Sequence, residues 1–171
     1  VGNKEKYNNV NKNVKGINHQ GYNDLAPGNT LPAFVFSKRM GFDYVETDIQ
    51  FTSDDVPVII HNSTINATCC NASDGSSLGD TPIAVSSLSY ENGDLDDYDA
   101  CTPAQWAKFK GTKIPTLDQF IHLCKNIGLH AYLEIKPDTL TETQKENMFS
   151  VVEKYGMQDN VTWISSIYAD L

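Results

Sequence analysis

Two carboxylates that stand one residue apart are the part of this sequence best suited to chemistry. Glu46 and Asp48 lie in the segment YVETDIQ, residues 44–50, which otherwise has the composition of a buried strand. Because the side chains of a strand alternate between two faces, both carboxylates point to the same face. Burial of two neighbouring like charges is costly unless they are neutralised. The pattern therefore predicts a divalent cation held by oxygen ligands, of the calcium or magnesium type.

Two histidines are placed to supply an acid and a base. His19 follows the short strand predicted at 14–18, and His61 follows an apolar run at 58–60. Imidazole exchanges a proton near neutral pH, so each can act in acid–base catalysis. A single histidine at a strand end is more often a structural hydrogen-bonding group, but two at matching positions beside acids favour catalysis. Together with a cation, they predict metal-assisted cleavage of a phosphate ester.

Glu134 and Lys136 form a second pair with the spacing of one strand face. In one interpretation, Glu134 is a third oxygen ligand of the cation and Lys136 contacts a phosphate group. In the other, the two residues form a surface ion pair at a sheet edge. The residues alone leave both interpretations open.

The chain that carries these residues alternates predicted strands with predicted helices. The strands are expected at 14–18, 44–51, 56–60, 130–136 and 161–165, and the helices at 30–40, 116–127 and 141–155. This alternation predicts an α/β fold with a mostly parallel sheet, in which functional groups collect at the C-terminal ends of the strands. Six candidates occupy such ends: His19, Glu46, Asp48, His61, Glu134 and Lys136.

The connection between Asp48 and His61 is too short to hold a crossover helix. A hairpin that turns at Asp54 and Asp55 would place His61 nearly opposite Asp48 on the adjacent strand. An extended return to a parallel strand is the alternative. In either arrangement, the carboxylate and the imidazole can share one pocket.

We expect one domain over 14–171, preceded by a lead-in at 1–13 that is rich in Asn and Lys. Residues 62–113 are rich in Asn, Ser, Asp and Gly and interrupt the alternation of strands and helices. We interpret them as a surface insertion that covers a site, with one short helix at 103–108.

The four cysteines do not have the spacing of a zinc site, because Cys69 and Cys70 are adjacent. Cys124 lies on a helical apolar stripe and is predicted to be a buried core thiol. Cys69 or Cys70 could pair with Cys101, since all three lie in one polar segment. The sequence leaves that disulfide open.

The charge of the chain excludes some classes of partner. The 171 residues include 13 Lys and Arg against 22 Asp and Glu, which gives a net charge of −9. This is not the basic footprint of a nucleic-acid-binding protein. No apolar stretch approaches the roughly 20 residues of a membrane span. The compartment and the oligomeric state are unknown from the sequence, although an extracellular or bacterial cell-surface location is favoured over a cytoplasmic one.

The order and spacing of these motifs resemble the glycerophosphodiester phosphodiesterase family. The match comprises HQG at 19–21, PGNT at 27–30, ETD at 46–48, HN at 61–62, IPTL at 114–117 and EIK at 134–136. It covers nearly the whole chain from Gly16 onward. The resemblance implies a TIM barrel that hydrolyses glycerophosphodiesters to glycerol 3-phosphate and an alcohol.

The resemblance also assigns roles to particular residues. It implies a divalent metal, calcium or magnesium, on Glu46, Asp48 and Glu134. It implies acid and base roles for His19 and His61, and contacts to the substrate phosphate from Lys136 and from position 20, where this chain has Gln20. The insertion at 62–113 is similar to a characteristic insertion of the family.

Three positions depart from the family pattern. Gln20 replaces an arginine that would clamp phosphate, Gly28 replaces a glutamate, and Asn62 replaces an aspartate. We hypothesise that the first two departures are linked, because loss of the arginine removes the reason for an acid near it. Gln20 can still donate one neutral hydrogen bond to a phosphoryl oxygen.

A complete TIM barrel has eight strands, whereas five are predicted in this sequence. We therefore expect the chain to form an incomplete portion of a barrel. Two other functions are compatible with these residues: a phosphodiesterase similar to sphingomyelinase D, and a non-catalytic module that binds phosphodiesters or polymers. The sphingomyelinase D family is similar to this chain in its two histidines and its Glu-x-Asp pair.

Overall fold

The computed structural model describes residues 15–165, which form one five-stranded sheet, three long helices and an insertion. The predicted lead-in at 1–13 lies outside the described residues, as does Val14 of the first predicted strand. In chain order the elements are β1 (Ile17–His19), α1 (Leu31–Arg39), β2 (Tyr44–Phe51), β3 (Pro57–Ile59), β4 (Thr64–Ile65), β5 (Asn71–Ala72), β6 (Ile83–Ala84), β7 (Tyr98–Asp99), α2 (Trp106–Phe109), α3 (Leu117–Ile127), β8 (His130–Ile135), α4 (Glu142–Lys154) and β9 (Val161–Ser165).

The strands β1, β2, β8 and β9 are parallel neighbours in that order. Their register pairs His19 with Glu46 and Asp48 with Glu134. The sequence prediction of a mostly parallel α/β sheet is confirmed. The register explains why side chains far apart in the sequence meet at one end of the sheet.

The connection after Asp48 forms the predicted hairpin. Strand β3 runs antiparallel to β2, with Ile49 opposite Ile59, and the Ile60 amide donates to the Asp48 carbonyl oxygen at 3.1 Å. Asp55 takes the left-handed conformation that the turn requires, with φ 58°. His61 therefore follows β3 beside Asp48, and the extended parallel alternative is excluded.

The long helices begin one residue later than predicted, because a threonine serves as the N-cap of each. Thr116 and Thr141 accept hydrogen bonds from the amides of Gln119 and Gln144, whose side chains bond back to the cap. Both helices thus start with a capping box, which satisfies amides that lack a helical partner. At α1 the N-cap is Thr30, with proline in the first turn.

The helices cover one face of the sheet with an apolar core. Val45, Ile49 and Leu133 of the strands pack there with residues such as Phe34 of α1 and Phe120 of α3. Because the strand side chains alternate, Glu46, Asp48 and Glu134 occupy the opposite face. The apolar core on one face thus fixes the strands that carry the carboxylates on the other face.

The segment 62–113 is an insertion with its own small core. It contains two sheets of two strands each, β4 with β6 and β5 with β7. Its apolar cluster includes Ile65, Val85 and Leu95, and Ile114 from just after the segment packs with them. The helix predicted at 103–108 is shorter and later than expected, since residues 103–105 form a turn that precedes α2.

The four cysteines are free thiols, so the disulfide that the sequence left open does not form. Cys124 is fully buried in the main core, as predicted. Within the described residues, no helix has the length and apolar character required to cross a membrane.

Candidate active site

Three carboxylates meet at the C-terminal ends of β2 and β8. The register pairs Asp48 with Glu134, and Glu46 lies on the same face of β2. One oxygen atom from each of the three lies within 4.8 Å of the others. Glu46 and Asp48 are buried, whereas 33% of the Glu134 side chain is exposed. The structure thus brings together the three residues that were predicted as metal ligands.

The two buried carboxylates each use one oxygen atom for bonds within the protein. Asp48 Oδ2 accepts from Asn29 Nδ2 at 2.8 Å and from the side-chain Nε2 of Gln20 at 3.0 Å. Glu46 Oε2 accepts from the backbone N–H of Gln20 at 3.1 Å. Asn29 is itself oriented by Thr47, whose hydroxyl donates to Asn29 Oδ1 at 2.7 Å. These bonds fix the direction of both carboxylates.

The other oxygen atom of each buried carboxylate fits a cation. Glu46 Oε1 and Asp48 Oδ1 are buried and have no hydrogen-bond partner among the described residues. Burial and the nearby charge of Asp48 raise the pKa of Glu46, because both disfavour a second negative charge. A divalent cation with oxygen ligands would satisfy both atoms and offset this repulsion.

Lys136 links the carboxylates to one of the histidines. Its Nζ donates to Glu134 Oε1 at 3.0 Å and lies 3.6 Å from Asp48 Oδ1 and 3.3 Å from His61 Nε2. Burial lowers the pKa of Lys136, but the bond to Glu134 and the two negative charges outweigh it, so the net pKa is raised. Lys136 therefore presents a full positive charge between the acids and the imidazole.

The two histidines contact different members of the site: His19 lies beside Glu46, and His61 lies beside Lys136. His19 Nε2 lies 3.8 Å from Glu46 Oε2, and 71% of its side chain is exposed. His61 Nδ1 lies 3.0 Å from Asn62 Oδ1. A carboxamide oxygen only accepts, so this contact places a proton on Nδ1, and Nε2 accepts from the Lys136 ammonium. All six predicted strand-end residues are thus brought into one site.

Gln20 and Gly28 are sterically linked. A β-carbon at position 28 would lie 2.9 Å from Gln20 Oε1 and 3.2 Å from Gln20 Cβ. The glycine therefore gives room to the glutamine, which turns its amide to Asp48 rather than outward. This contact supplies a physical reason for the two departures at these positions to occur together.

A cavity of about 280 Å³ opens beside His61, between the end of β3 and the insertion. Its polar lining includes Gln20, Asn62, Thr68, Thr102 and Gln105. Sequence reasoning did not identify Thr102 and Gln105, because nothing in the polar composition of the insertion distinguishes them. Asn29 was also missed as a supporting residue, although its place in the PGNT motif was a usable signal.

The other two histidines, His122 and His130, lie outside the site. His122 stacks on Tyr155 with an interplanar angle of 11°, and His130 Nε2 lies 2.9 Å from Thr162 Oγ1 at the opposite ends of the strands. Both have structural contacts of their own.

Comparison with known proteins identifies several relatives. The sequence profile described as the glycerophosphoryl diester phosphodiesterase family matches residues 19–165. Glycerophosphodiester phosphodiesterase 1 of Homo sapiens is 31% identical over 127 residues, which is 72% of this chain and 34% of the human protein. The chain thus spans about a third of the length of that relative.

Solved structures show the same architecture. A structure described as a putative glycerophosphoryl diester phosphodiesterase from Silicibacter pomeroyi superposes with a TM-score of 0.80 at 23% identity, over 91% of this chain and 59% of that one. A phosphodiesterase of Oleispira antarctica, solved with the product sn-glycerol-3-phosphate, superposes with a TM-score of 0.74 at 24% identity, over 91% and 58%. These likenesses confirm the predicted TIM-barrel fold, of which the described residues form a part.

Proposed function

The chain belongs to the glycerophosphoryl diester phosphodiesterase family, and on this premise we propose that it hydrolyses glycerophosphodiesters to glycerol 3-phosphate and an alcohol in a metal-dependent reaction. The observation that carries the proposal is the pair of buried carboxylate oxygens, on Glu46 and Asp48, that have no hydrogen-bond partner among the described residues. The imidazole of His19 lies beside Glu46, and the imidazole of His61 lies beside Lys136. A relative of the same fold that was solved with sn-glycerol-3-phosphate supports this choice of product.

The residues present fit a divalent cation, calcium or magnesium, on Glu46, Asp48 and Glu134. When bound, such a cation supplies positive charge that stabilises the negative charge on phosphoryl oxygens. Lys136 adds a fixed ammonium group on the side of His61 and favours binding of the phosphodiester anion. Gln20 orients Asp48, and it is a neutral side chain at the position where the family pattern has a phosphate-binding arginine.

The two histidines divide the proton transfers. One imidazole removes a proton from the attacking oxygen as that oxygen bonds to phosphorus. If the attacking oxygen belongs to water, glycerol 3-phosphate forms directly; if it belongs to the neighbouring glycerol hydroxyl, a cyclic phosphodiester forms first and a water then opens it. The other donates a proton to the oxygen of the alcohol as its bond to phosphorus breaks. Asn62 on Nδ1 orients the His61 ring for this task, and Nε2, which lies 3.3 Å from Lys136 Nζ, is the nitrogen on the side of the carboxylates.

The test is release of glycerol 3-phosphate from glycerophosphodiesters by the longest natural form of this protein, with and without EDTA. His19→Ala and His61→Ala should each lower turnover by about 10²- to 10⁴-fold, the range typical of an acid–base group. Both variants should bind Ca²⁺ or Mg²⁺ as the parent does in titration calorimetry, since neither residue is a proposed ligand.

His122→Ala is the matched control, because this imidazole packs on Tyr155 away from the site. Turnover that persists in EDTA contradicts the role of the metal, and turnover that persists in both histidine variants contradicts the acid–base scheme. Metal binding without hydrolysis of any diester would instead support the non-catalytic binding module.

A further inference from the structure

We propose that Cys69 and Cys70 form a dithiol site for soft, thiophilic ligands, of the Cu(I) or trivalent arsenic class, and that a ligand held there blocks the cavity beside His61. The two thiols come from adjacent residues of the insertion, directly before β5. The binding part of the inference stands on these thiols alone. The effect on turnover rests on the proposed function, because it requires that substrate reaches His61.

Both cysteines belong to the lining of one cavity. They line the space of about 280 Å³ that adjoins His61. Cys69 is partly exposed, whereas Cys70 is only 1% exposed, so the pair offers one thiol at the surface and one at greater depth. Asn62 and His61, which line the same cavity, both lower the pKa of Cys69, so its sulfur lies on their side.

A tight turn holds the two cysteines before any ligand arrives. The amides of Cys69 and Cys70 both donate to the Asn66 carbonyl oxygen, at 3.1 Å and 2.9 Å. Asn66 Oδ1 accepts from the Thr68 amide at 2.9 Å, which closes the same turn. Cys69 Sγ lies 3.5 Å from the Asn66 carbonyl oxygen. A ligand therefore meets a pair that is already ordered, which lowers the entropic cost of binding.

The two thiols act directly on each other. Cys70 has the largest influence on the pKa of Cys69 and lowers it, whereas Cys69, followed by burial, raises the pKa of Cys70. One proton is thus released readily while the other is retained. Since the thiolate is the nucleophile and the metal ligand, Cys69 makes the first bond and Cys70 the second.

Adjacent cysteines favour a bridging atom over a disulfide. Consecutive Cα atoms lie about 3.8 Å apart, whereas the Cα atoms of a disulfide usually lie about 4.4–6.8 Å apart. A direct bond between the sulfurs would strain this turn, and both cysteines are free thiols. An atom inserted between the sulfurs enlarges the ring. Thiolates select soft metals, which separates this site from the carboxylate oxygens of Glu46 and Asp48.

Capture of a trivalent arsenical, R–As=O, is a condensation. Two As–S bonds form, and the oxygen on arsenic leaves as water together with the two thiol protons. No oxidant or reductant is required. Cu(I) binds by displacing the thiol protons, which are released to solvent.

The experiment titrates phenylarsine oxide into the reduced full-length protein and follows the adduct by mass spectrometry of the intact chain and its peptides. We expect one arsenic per chain, on the peptide that contains Cys69 and Cys70. The adduct should resist an excess of monothiol and be removed by 2,3-dimercaptopropanol. Cys69→Ser and Cys70→Ala should each weaken binding at least about 100-fold, because the second As–S bond forms within the chain.

Cys101→Ala is the matched control. Cys101 is fully buried, and its Sγ lies 3.9 Å from the Phe109 carbonyl oxygen. The variant should bind the arsenical as the parent does. Undiminished binding by Cys69→Ser with its melting temperature retained, or an adduct on Cys101 in the native parent, overturns the dithiol site.

Competition tests the class of ligand. Cu(I) should compete with phenylarsine oxide, whereas an excess of Ca²⁺ should not, because Ca²⁺ prefers oxygen ligands. Competition by Ca²⁺, or failure of Cu(I) to compete, overturns the assignment to soft ligands.

Turnover is measured separately, so the proposed function can fail without the dithiol site. One equivalent of the arsenical should lower hydrolysis of glycerophosphodiesters by the parent at least about tenfold, since access to an acid–base group is lost. Cys69→Ser should keep most of the turnover of its own untreated sample. Full turnover by the loaded parent overturns the blocking of the cavity. If no diester is hydrolysed, the proposed function fails, and the titration still decides the dithiol site.

Discussion

The sheet and the insertion contribute to one site but are held together by different forces. Behind the sheet, the helices bury a continuous apolar core that includes Phe34 and Phe120. The insertion, residues 62–113, has strands of two residues, a smaller apolar cluster and a network of hydrogen bonds to a buried acid, Asp99. The comparison indicates that the sheet positions the carboxylates, while the insertion lines the cavity beside His61.

Asp99 is the centre of the polar network in the insertion. Its Oδ1 accepts from Lys113 Nζ at 2.8 Å and Ser73 Oγ at 3.0 Å, and its Oδ2 accepts from Trp106 Nε1 at 3.0 Å and the Gly111 amide at 2.9 Å. Only 1% of this side chain is exposed. A single carboxylate thus ties together four points of the insertion.

The chain has two tryptophans, and one lies in each region, so fluorescence can follow the regions separately. Trp163 belongs to β9 and packs edge-on against Phe149 at 5.1 Å. Trp106 belongs to α2 of the insertion. Variants with one tryptophan replaced by phenylalanine supply the two backgrounds for the following tests.

The largest effect is expected in the main core. Phe120→Ala removes a fully buried ring that meets Phe34 edge-on at 4.5 Å, and it should lower the free energy of unfolding by about 3–5 kcal/mol. Urea denaturation followed by Trp163 in a Trp106→Phe background measures this loss. A decrease below about 1 kcal/mol would contradict the central role of this core.

A smaller and more local effect is expected from Asp99→Ala. The change leaves Trp106 Nε1 and the Gly111 amide without their acceptor, at a cost of about 1–3 kcal/mol. Trp106 fluorescence should show the insertion unfolding at lower urea, while the Trp163 transition moves little. Asp80→Ala, at an exposed position of the same insertion, is the control. A joint shift of both transitions would show that the regions unfold as one unit.

Acid should loosen the insertion for the same reason. Burial alone raises the pKa of Asp99, but the hydrogen bonds from Gly111 and Lys113 outweigh it and hold the pKa below its ordinary value. The stabilisation is therefore present above the ordinary carboxyl pKa of about 4 and is lost as the pH falls through the lower value in the folded protein. Trp106 fluorescence should change in that range, and Asp99→Asn should remove this part of the change.

The smallest effect on folding is expected at Cys69, which tests access to the insertion. The neighbouring Cys70 thiol lowers the pKa of Cys69 below that of an ordinary cysteine, in spite of partial burial. Alkylation by iodoacetamide should therefore level off at a lower pH than it does for an ordinary cysteine, because the thiolate is the nucleophile.

Burial raises the pKa of Cys124, so this thiol of the sheet core should react only after unfolding. Mass spectrometry of the peptides distinguishes the two sites, and Cys69→Ser is the control. Equal labelling of both cysteines in the native protein would contradict the expectation that Cys69 of the insertion is accessible and Cys124 of the core is not.

The sequence was informative where the alternation of side chains along a strand, or the position of a residue at the end of a strand, constrains the structure. Period two placed Glu46 and Asp48 on one face, and the alternation of elements placed His19 and Glu134 at the same end of the sheet. The sequence was uninformative where tertiary contacts decide. Gln105 is one of many polar residues in the insertion, and only the fold brings it to a cavity beside His61.

The hairpin and the disulfide also show that tertiary contacts decided questions that the sequence left open. Two connections were possible after Asp48, and pairing of Ile49 with Ile59 across a tight turn selects one of them. Cys69 and Cys101 share a polar segment, yet the fold keeps them as free thiols. Proximity in the sequence did not determine their bonding.

The close approach of Gln20 to Gly28 couples substitutions at these two positions. A side chain at position 28 collides with Gln20 while that residue stays bonded to Asp48. Gly28→Glu therefore requires the Gln20 side chain to move and to weaken its bond to Asp48. We expect the two positions to be energetically coupled, so that the effects of Gly28→Glu and Gln20→Arg on stability do not add.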